Sequence, residues 1–328
     1  MSITRGKPAR ERLRLSNKII FTEAVPEAKK LSSIWGGVFF HPVFVESGAG
    51  ILDMEGRVRT IEYQGREIGV SNLLFQKRPG LNAATIPLLF QYFGPVFYDS
   101  VMEAEFINDV IDYCRETCDY IYLSFPPEFK SIAKFTGNWQ INKAVTLAVD
   151  SSQLEKWGND FRDDVKNKIN KARRSGIKIE LSNSLDEKLW EVSFSRKGLR
   201  PPIKPSDLKR WCSALMEGSL LRIYTAVIDG RAVAFRGQLV YGGFAYDWIA
   251  GSDPDYHHLG VNQILMAETG SDLRKTGISI WDLVDARVSS IAEFKKSFGA
   301  LEYYHWQVSG AFTIKGKLFG ALRSVKNA

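Results

Sequence analysis

The stretch DYHHLGVNQILMAE, residues 255–268, runs from a polar loop into a helix that starts near Gly260. The first amides of such a helix have no intrahelical acceptors, and the helix dipole turns its positive end towards them. A glycine at that point lets a ligand come close to the backbone. Leu259, Gly260, Val261 and Asn262 therefore form a candidate pyrophosphate cradle, or an ordinary strand-to-helix turn. His257 and His258 have the side chain that takes a proton from an amine near neutral pH, unless the pair is simply solvated. Asp247 lies between Tyr246 and Trp248 in an otherwise apolar strand. A lone buried carboxylate is costly, so Asp247 is either ion-paired or functional, for instance as a general base. Asp282 and Asp285 fall near the end of the next strand, where α/β ligand sites gather.

A further cation stands in SSIAEFKKSFGA, residues 289–300. Ser290 and Glu293 have capping-box spacing, and Gly299 is a C-terminal stop. Ile291, Phe294 and Phe298 then share one apolar face. Lys296 projects away from it, one turn from Glu293, as half of a surface pair. Lys295 falls on the shoulder of the face, with its stem packed and its ammonium at a cleft rim or in solvent. Arg196, Lys197 and Arg200 flank a Pro-Pro turn, as the wall of an acceptor cleft or as solvated charge.

The elements that position these residues follow from local pattern. From Ile19 to Phe97 short apolar runs alternate with turn residues and predict strands, among them IIFTEAV, VFFHPVFV, RVRTIEYQG and EIGVSNLLF. Residues 103–119 have a 3.6-residue period through Phe106, Val110, Tyr113 and Thr117, and predict a helix. YIYLSF and AVTLAVD are buried strands. Asp160 is a candidate N-cap for a helix with the stripe Phe161, Val165, Ile169, Ala172 and basic residues on its other faces. The second half predicts helices at 185–197 and 206–217, then a hairpin turning at Asp229-Gly230. After it come a third strand (GFAYDWIAG), the helix from Gly260 to Gly277, the strand SIWDLVDA, the lysine helix, and YYHWQVSG as the last strand. Gly65-Arg66 followed by Leu74 echoes Gly230-Arg231 followed by Leu239, a faint sign of duplication.

Composition sets the class. The chain has 328 residues, too many for one ordinary core and suited to two domains. We divide it into a basic tail (1–16), an N-terminal domain (17–150) and a C-terminal domain (151–328), whose residues 151–178 form a joining segment and basic helix. A net charge of +7 points to anionic partners. No apolar run reaches the length of a membrane span, and the basic N-terminus lacks the apolar core of a secretory signal. Cys114, Cys118 and Cys212 are too few and odd in number for a disulfide framework, so a cytoplasmic setting is expected. The histidines and cysteines show no zinc spacing, and no metal is expected.

The order glycine turn, helix, strand, helix, strand over 260–309 resembles the second half of the Gcn5-related N-acyltransferase (GNAT) fold. KNKINKARRSGIKI (166–179), LRKTGISIWDLVDA (273–286) with FKKSFGA (294–300), SRKGLRPPI (195–203) and LLFQYFGPVF (88–97) are similar to motifs of its Fem-type (FemAB-like) branch. The resemblance spans about two-thirds of the chain. It implies an α/β fold of two tandem GNAT-like domains. Each would be a mixed, mostly antiparallel sheet flanked by helices, with the N-terminal domain the more degenerate.

It also implies that the lysine after the first Phe lies at the transfer site. That lysine is Lys295, whose charge would stabilise the oxyanion of acyl transfer or hold an acceptor phosphate. Asp247 and Asp285 would be its catalytic companions, and Lys197, Arg200, Tyr246 and Asp282 would bind substrate. The implied activity moves an acyl group from acetyl-CoA or another acyl-CoA to an amine of a small or cell-envelope-related acceptor. Two departures matter. Only the middle glycine of the usual Q/R-x-x-G-x-G/A cradle is kept, and Ala286 replaces the glycine of D-F-x-G. Two alternatives stay open: an aminoacyl-tRNA-dependent transferase of the peptidoglycan-bridge type, and an idle relative that binds a nucleotide-sugar or RNA through the 162–178 helix.

Overall fold

The computed structural model describes residues 13–14, 19–76, 78–195, 198–285 and 287–327. Two β-hairpins mark the two halves. The first joins β1 (Arg59–Tyr63) to β2 (Arg66–Ser71) through Gln64 and Gly65, with φ of 48° and 75°. Elements that follow in the first half are β3 (Ala83–Thr85), a helix Ser100–Thr117, β4 (Tyr120–Phe125) and β5 (Trp139–Asp150). The second half opens with α1 (Asp163–Arg174), β6 (Lys178–Ser182), α2 (Glu187–Ser195) and α3 (Pro205–Glu217). Its hairpin joins β7 (Leu221–Ile228) to β8 (Arg231–Tyr241) through Asp229 and Gly230, with φ of 50° and 75°. Both turns need left-handed residues in succession, so the weak sequence echo falls on equivalent hairpins. The half ends with β9 (Phe244–Ser252), α4 (Val261–Lys275), β10 (Ile280–Asp285), α5 (Ser289–Lys296), β11 (Leu301–Ala311) and α6 (Ile314–Asn327).

The large sheet runs β6-β7-β8-β9-β10-β5-β11-β4-β3 and ends in two short strands, Phe75–Gln76 and Met54–Glu55. Each half inserts its last long strand beside the other half: β5 lies between β10 and β11, and β11 lies between β5 and β4. Neighbours are antiparallel except β9 with β10 and β3 with β4. A smaller five-stranded sheet contains β1 and β2. One hydrophobic core spans the first half and part of the second, and another lies under α1 and α4.

Three expectations change. VFFHPVFV is not a strand: Gly37–Phe40 is a 3-10 turn and Pro42–Ile51 a helix. Pro42 takes the first helical position, where its missing N–H costs nothing, and the His41 ring accepts the Val43 amide at 3.3 Å. The Asp160 cap is replaced by a start at Asp163, with Asp163 and Asp164 meeting the positive end of the helix. The lysine helix has Val288 at its N-cap and no side-chain cap bond, so the capping box does not form. YYHWQVSG is the last strand, as expected, and α6 follows it.

Candidate active site

At the C-terminal ends of the parallel pair β9 and β10 the strands part after Tyr246 and Asp282. A cavity of ≈ 370 Å³ opens beside them, walled by α2, the end of β9, the start of α4 and α5. Arg236, Asp247, Ser252, His257, Asn262 and Lys295 line it. The ends of parallel strands are where open α/β sheets place ligands.

Lys295 does not sit on the shoulder of its helix. It is 6% exposed, and its Nζ donates to the Val284 carbonyl at 3.2 Å. The buried face is Ala292, Lys295 and Phe298, while Ile291 is 44% exposed at the cavity. Val284 is itself in a left-handed conformation (φ 51°), which brings its carbonyl to the lysine while its amide donates to Asp282 at 2.8 Å. Lys296 pairs with Glu302 at 2.7 Å rather than with Glu293, and that carboxylate raises the ammonium's pKa.

Asp247 is paired. Its Oδ2 accepts from the Arg236 guanidinium and its Oδ1 accepts from Gln238 Nε2 at 2.8 Å. Gln238 Oε1 in turn accepts from Trp281 Nε1 at 2.7 Å. The carboxylate holds Arg236 at the cavity wall, with the guanidinium 6.0 Å from the Phe294 ring and its Nε buried without a partner. Arg236 and Gln238 escaped the sequence analysis. Their signal was there: two polar residues at alternate positions in a buried strand beside one carrying a carboxylate.

The doubled histidine divides. His257 lines the cavity, and its Nε2 and the Ser252 hydroxyl share a hydrogen bond of 2.7 Å. Asn262 Nδ2 donates to the same hydroxyl at 3.4 Å. His258 is exposed, with its Nδ1 2.8 Å from the Asp255 carbonyl.

The residues of the expected cradle separate too. Gly260 has φ 82°, but a Cβ there would overlap the Lys168 carbonyl oxygen. The close approach that needs glycine is made by α1, not left open to a ligand. Gly260 and Val261 are buried, Leu259 is half-buried, and only Asn262 of the four lines the cavity.

Tyr246 and Asp282 lie elsewhere. The Tyr246 hydroxyl accepts the Gly36 amide at 2.6 Å, and burial pushes its pKa well up. Asp282 is fully buried and accepts four hydrogen bonds: from Trp35 Nε1 (2.8 Å), the Tyr92 hydroxyl (2.7 Å), the Thr146 hydroxyl (2.5 Å) and the Val284 amide. Burial, with the Asp282 charge beside it, drives the Tyr92 hydroxyl far above its usual pKa. Both residues are fully buried and fasten the first half to β9 and β10. Arg200 is exposed in the loop after α2. Lys197 and the Asp285 side chain lie outside the described residues.

Comparison with known proteins bears on the fold. Residues 159–296 match the model of the acetyltransferase (GNAT) domain. A search of curated proteins finds no match to the sequence. Among solved structures, FemX is 12% identical with a TM-score of 0.68, covering 90% of this chain and 96% of its own. The tandem GNAT protein from the clavulanic acid biosynthesis pathway is 12% identical with a TM-score of 0.55, covering 90% and 99%. L-PGS from Bacillus licheniformis is 10% identical with a TM-score of 0.55, covering 92% and 96%. At these identities the likeness is one of fold.

Proposed function

Because the chain carries a GNAT acetyltransferase domain within a Fem-like tandem fold, we propose that it is an N-acyltransferase whose transfer chamber is the cavity beside β9. The observation that carries this is the meeting of two buried cations, Lys295 and Arg236, with the Ser252–His257 pair in one chamber. An acceptor amine attacks the acyl carbonyl. A new N–C bond forms, and the bond to the leaving group breaks. Lys295 and Arg236 oppose the negative charge that gathers on the carbonyl oxygen, in a site where burial strengthens the effect. His257 takes the amine proton directly or through Ser252 and passes it to the departing group. Asp247, occupied by Arg236 and Gln238, positions the guanidinium instead of acting as the base.

The first donor is an acyl-CoA, with the start of α4 and Asn262 against its phosphates. The acceptor is a small or cell-envelope-related amine, in a cytoplasmic setting. One observation favours a second donor, an aminoacyl-tRNA: Lys168 fills the space over Gly260, so a CoA diphosphate has no glycine surface to rest on.

Thermal unfolding with acetyl-CoA, free CoA and a longer acyl-CoA separates these. A thioester at about 100 times its dissociation constant stabilises by roughly 2.7 kcal/mol, a readable rise in melting temperature. A dose-dependent rise that Asn262→Glu removes supports the CoA donor. No rise with any thioester, together with transfer from charged tRNA, supports the second donor. Failure of both, with no acyl transfer to any amine, overturns the proposal.

A further inference from the structure

In α6 the large apolar residues point outward. Ile314, Leu318 and Leu322 recur every fourth position and so form one stripe along the helix. A surface helix ordinarily sets such a stripe against the core. Here it faces solvent: Ile314 is 79% exposed, Leu318 64% and Leu322 73%. The side that meets the protein is built from small residues instead. A Cβ on Gly316 would overlap the Asp119 carbonyl oxygen, and one on Gly320 would come within 2.9 Å of the Tyr120 ring. Gly316 and Gly320 are one turn apart, opposite the stripe, and they let the helix backbone lie close on β4. No room is left on that side for a leucine.

The helix is fixed in this pose. Thr313 Oγ1 accepts the Gly316 amide at 3.1 Å, and its hydroxyl donates to Asp119 at 2.6 Å. Lys315 Nζ donates to the Gly80 carbonyl at 3.1 Å. Phe319 stands edge-on to Tyr120 with ring centres 5.3 Å apart, and the Arg323 guanidinium is 5.3 Å from the centre of the Tyr122 ring. Rolling the stripe inward would break these contacts.

The charge beside the stripe is of one sign. The sequence of α6, IKGKLFGALRSVKN, carries Lys315, Lys317, Arg323 and Lys326 and no acid. Arg78, from a neighbouring loop, adds a guanidinium 5.3 Å from the centre of the Phe319 ring. The acid at the start of the helix is Asp119, whose pKa is lowered by the Thr313 and Asn82 hydrogen bonds and, less, by the Lys315 charge. A further apolar side chain, Leu88, is 42% exposed. Leu88, Lys143 and Arg323 line a cavity of ≈ 800 Å³ where the parallel strands β3 and β4 part.

What covers the stripe must answer both its apolar residues and its cations. A second copy of the chain would set the same cations against each other, and like charges repel. The chain's own basic tail meets the same repulsion. A bilayer with anionic lipid answers both: the boundary between headgroups and acyl chains takes up leucine and isoleucine, and the phosphates take the flanking cations. The net charge of +7 draws the whole chain to such a surface.

We propose that α6 is a membrane-contact helix, with Ile314, Leu318 and Leu322 entering an anionic lipid surface and Lys315, Lys317 and Arg323 on its phosphates. The helix lies on the surface and does not span it; among the described residues no helix is long and apolar enough to cross a membrane. The contact is separate from acyl transfer and is the same for either donor.

The test is co-sedimentation of the full chain at low salt with two kinds of vesicle, one of phosphatidylglycerol mixed with phosphatidylcholine, the other of phosphatidylcholine alone. The wild type is compared with Leu318→Glu/Leu322→Glu and Lys315→Glu/Lys317→Glu. All four positions are exposed, so both variants should keep their fold, and melting curves check this. The wild type should bind the anionic vesicles, and each variant should bind them about 10-fold more weakly or worse. Binding of the wild type to phosphatidylcholine alone should be weaker by a similar factor. Absence of binding to anionic vesicles overturns the proposal. So does equal binding by either folded variant, or equal binding to both kinds of vesicle, which would leave the cations without a part. Sedimentation velocity without lipid tests the rival occupant. A dimer that Leu318→Glu/Leu322→Glu dissociates, with no vesicle binding, overturns the lipid surface in favour of a second copy.

Discussion

The two cavities occupy the same topological place and are built in opposite ways. Each opens where a parallel strand pair parts, β9 from β10 in one half and β3 from β4 in the other. In the C-terminal chamber the charged groups are held by hydrogen bonds inside the protein: Arg236 by Asp247, Asp247 also by Gln238, and the Lys295 ammonium by the Val284 carbonyl. In the N-terminal cavity, Lys143 and Arg323 rest on aromatic rings. A pre-satisfied, buried network fixes geometry, which suits chemistry on a small reacting centre. Cations laid over aromatic faces keep their charge at the surface. One fold thus supplies the opening twice, and the residues at its walls decide its use.

The largest effect is expected between the two regions, at Asp282. Replacing it with Ala strips the acceptor from Trp35, Tyr92, Thr146 and the Val284 amide at once. A loss of about 3–5 kcal/mol is expected, because buried donors left without partners keep their full desolvation cost. Urea unfolding followed by tryptophan fluorescence measures it. A loss under 1 kcal/mol would show that the two halves do not depend on this carboxylate.

Lys295→Met tests the chamber alone. The change keeps the buried stem and removes the charge, so turnover should fall about 10²–10³-fold while the fold is retained. Steady-state kinetics beside a melting curve separates the two effects. Unchanged turnover would remove Lys295 from the transfer step and break the contrast drawn above.

The hairpins sharpen the comparison at smaller cost. Gly65 and Gly230 both have φ 75° and open space where a Cβ would point. Gly65→Ala and Gly230→Ala should each cost about 1 kcal/mol, from backbone conformation alone. Unequal losses, read from denaturant midpoints, would mean that the two hairpins are not equivalent parts of the halves.

The smallest expected effect is a pH dependence confined to one side. Asp119 accepts from the Thr313 hydroxyl at 2.6 Å and from the Asn82 amide at 2.8 Å, and these bonds lower its pKa. A lowered folded pKa means that the stabilisation is present above the unfolded value of about 3.9 and is lost as pH falls below it. Thr313 precedes α6, which supplies Arg323. Protection of the α6 amides, with exchange normalised to its intrinsic rate at each pH, should therefore fall below about pH 4 relative to pH 6, with α4 unaffected. An equal fall in protection in both helices would place the acid sensitivity elsewhere.

Much of the fold was legible because its signals are local. The Asp229-Gly230 hairpin, the period of residues 103–119, and the Val165, Ile169, Ala172 stripe are each local signals, and all appear in the structure. One exception, VFFHPVFV, was an apolar run whose proline could end a strand or start a helix, and the burial of Phe39, Phe40 and Phe44 chose the helix. The sequence by itself also determined that Lys295 and Asp247 stand beside apolar strands and helices where a charge needs a reason.

Only the tertiary structure decided what that reason is. Asp247 is answered by Arg236 because β8 pairs with β9 in a register that sets Gln238 opposite Asp247. Asp282 is answered by Trp35 and Tyr92, which lie 247 and 190 residues away along the chain. Gly260 is covered by Lys168 because α1 packs on α4. The basic cavity gathers residues from 86 to 323. Periodicity and turn chemistry act over one or two turns of chain. Neutralising a charge depends on which distant strand or helix arrives beside it, and that is fixed by topology and register.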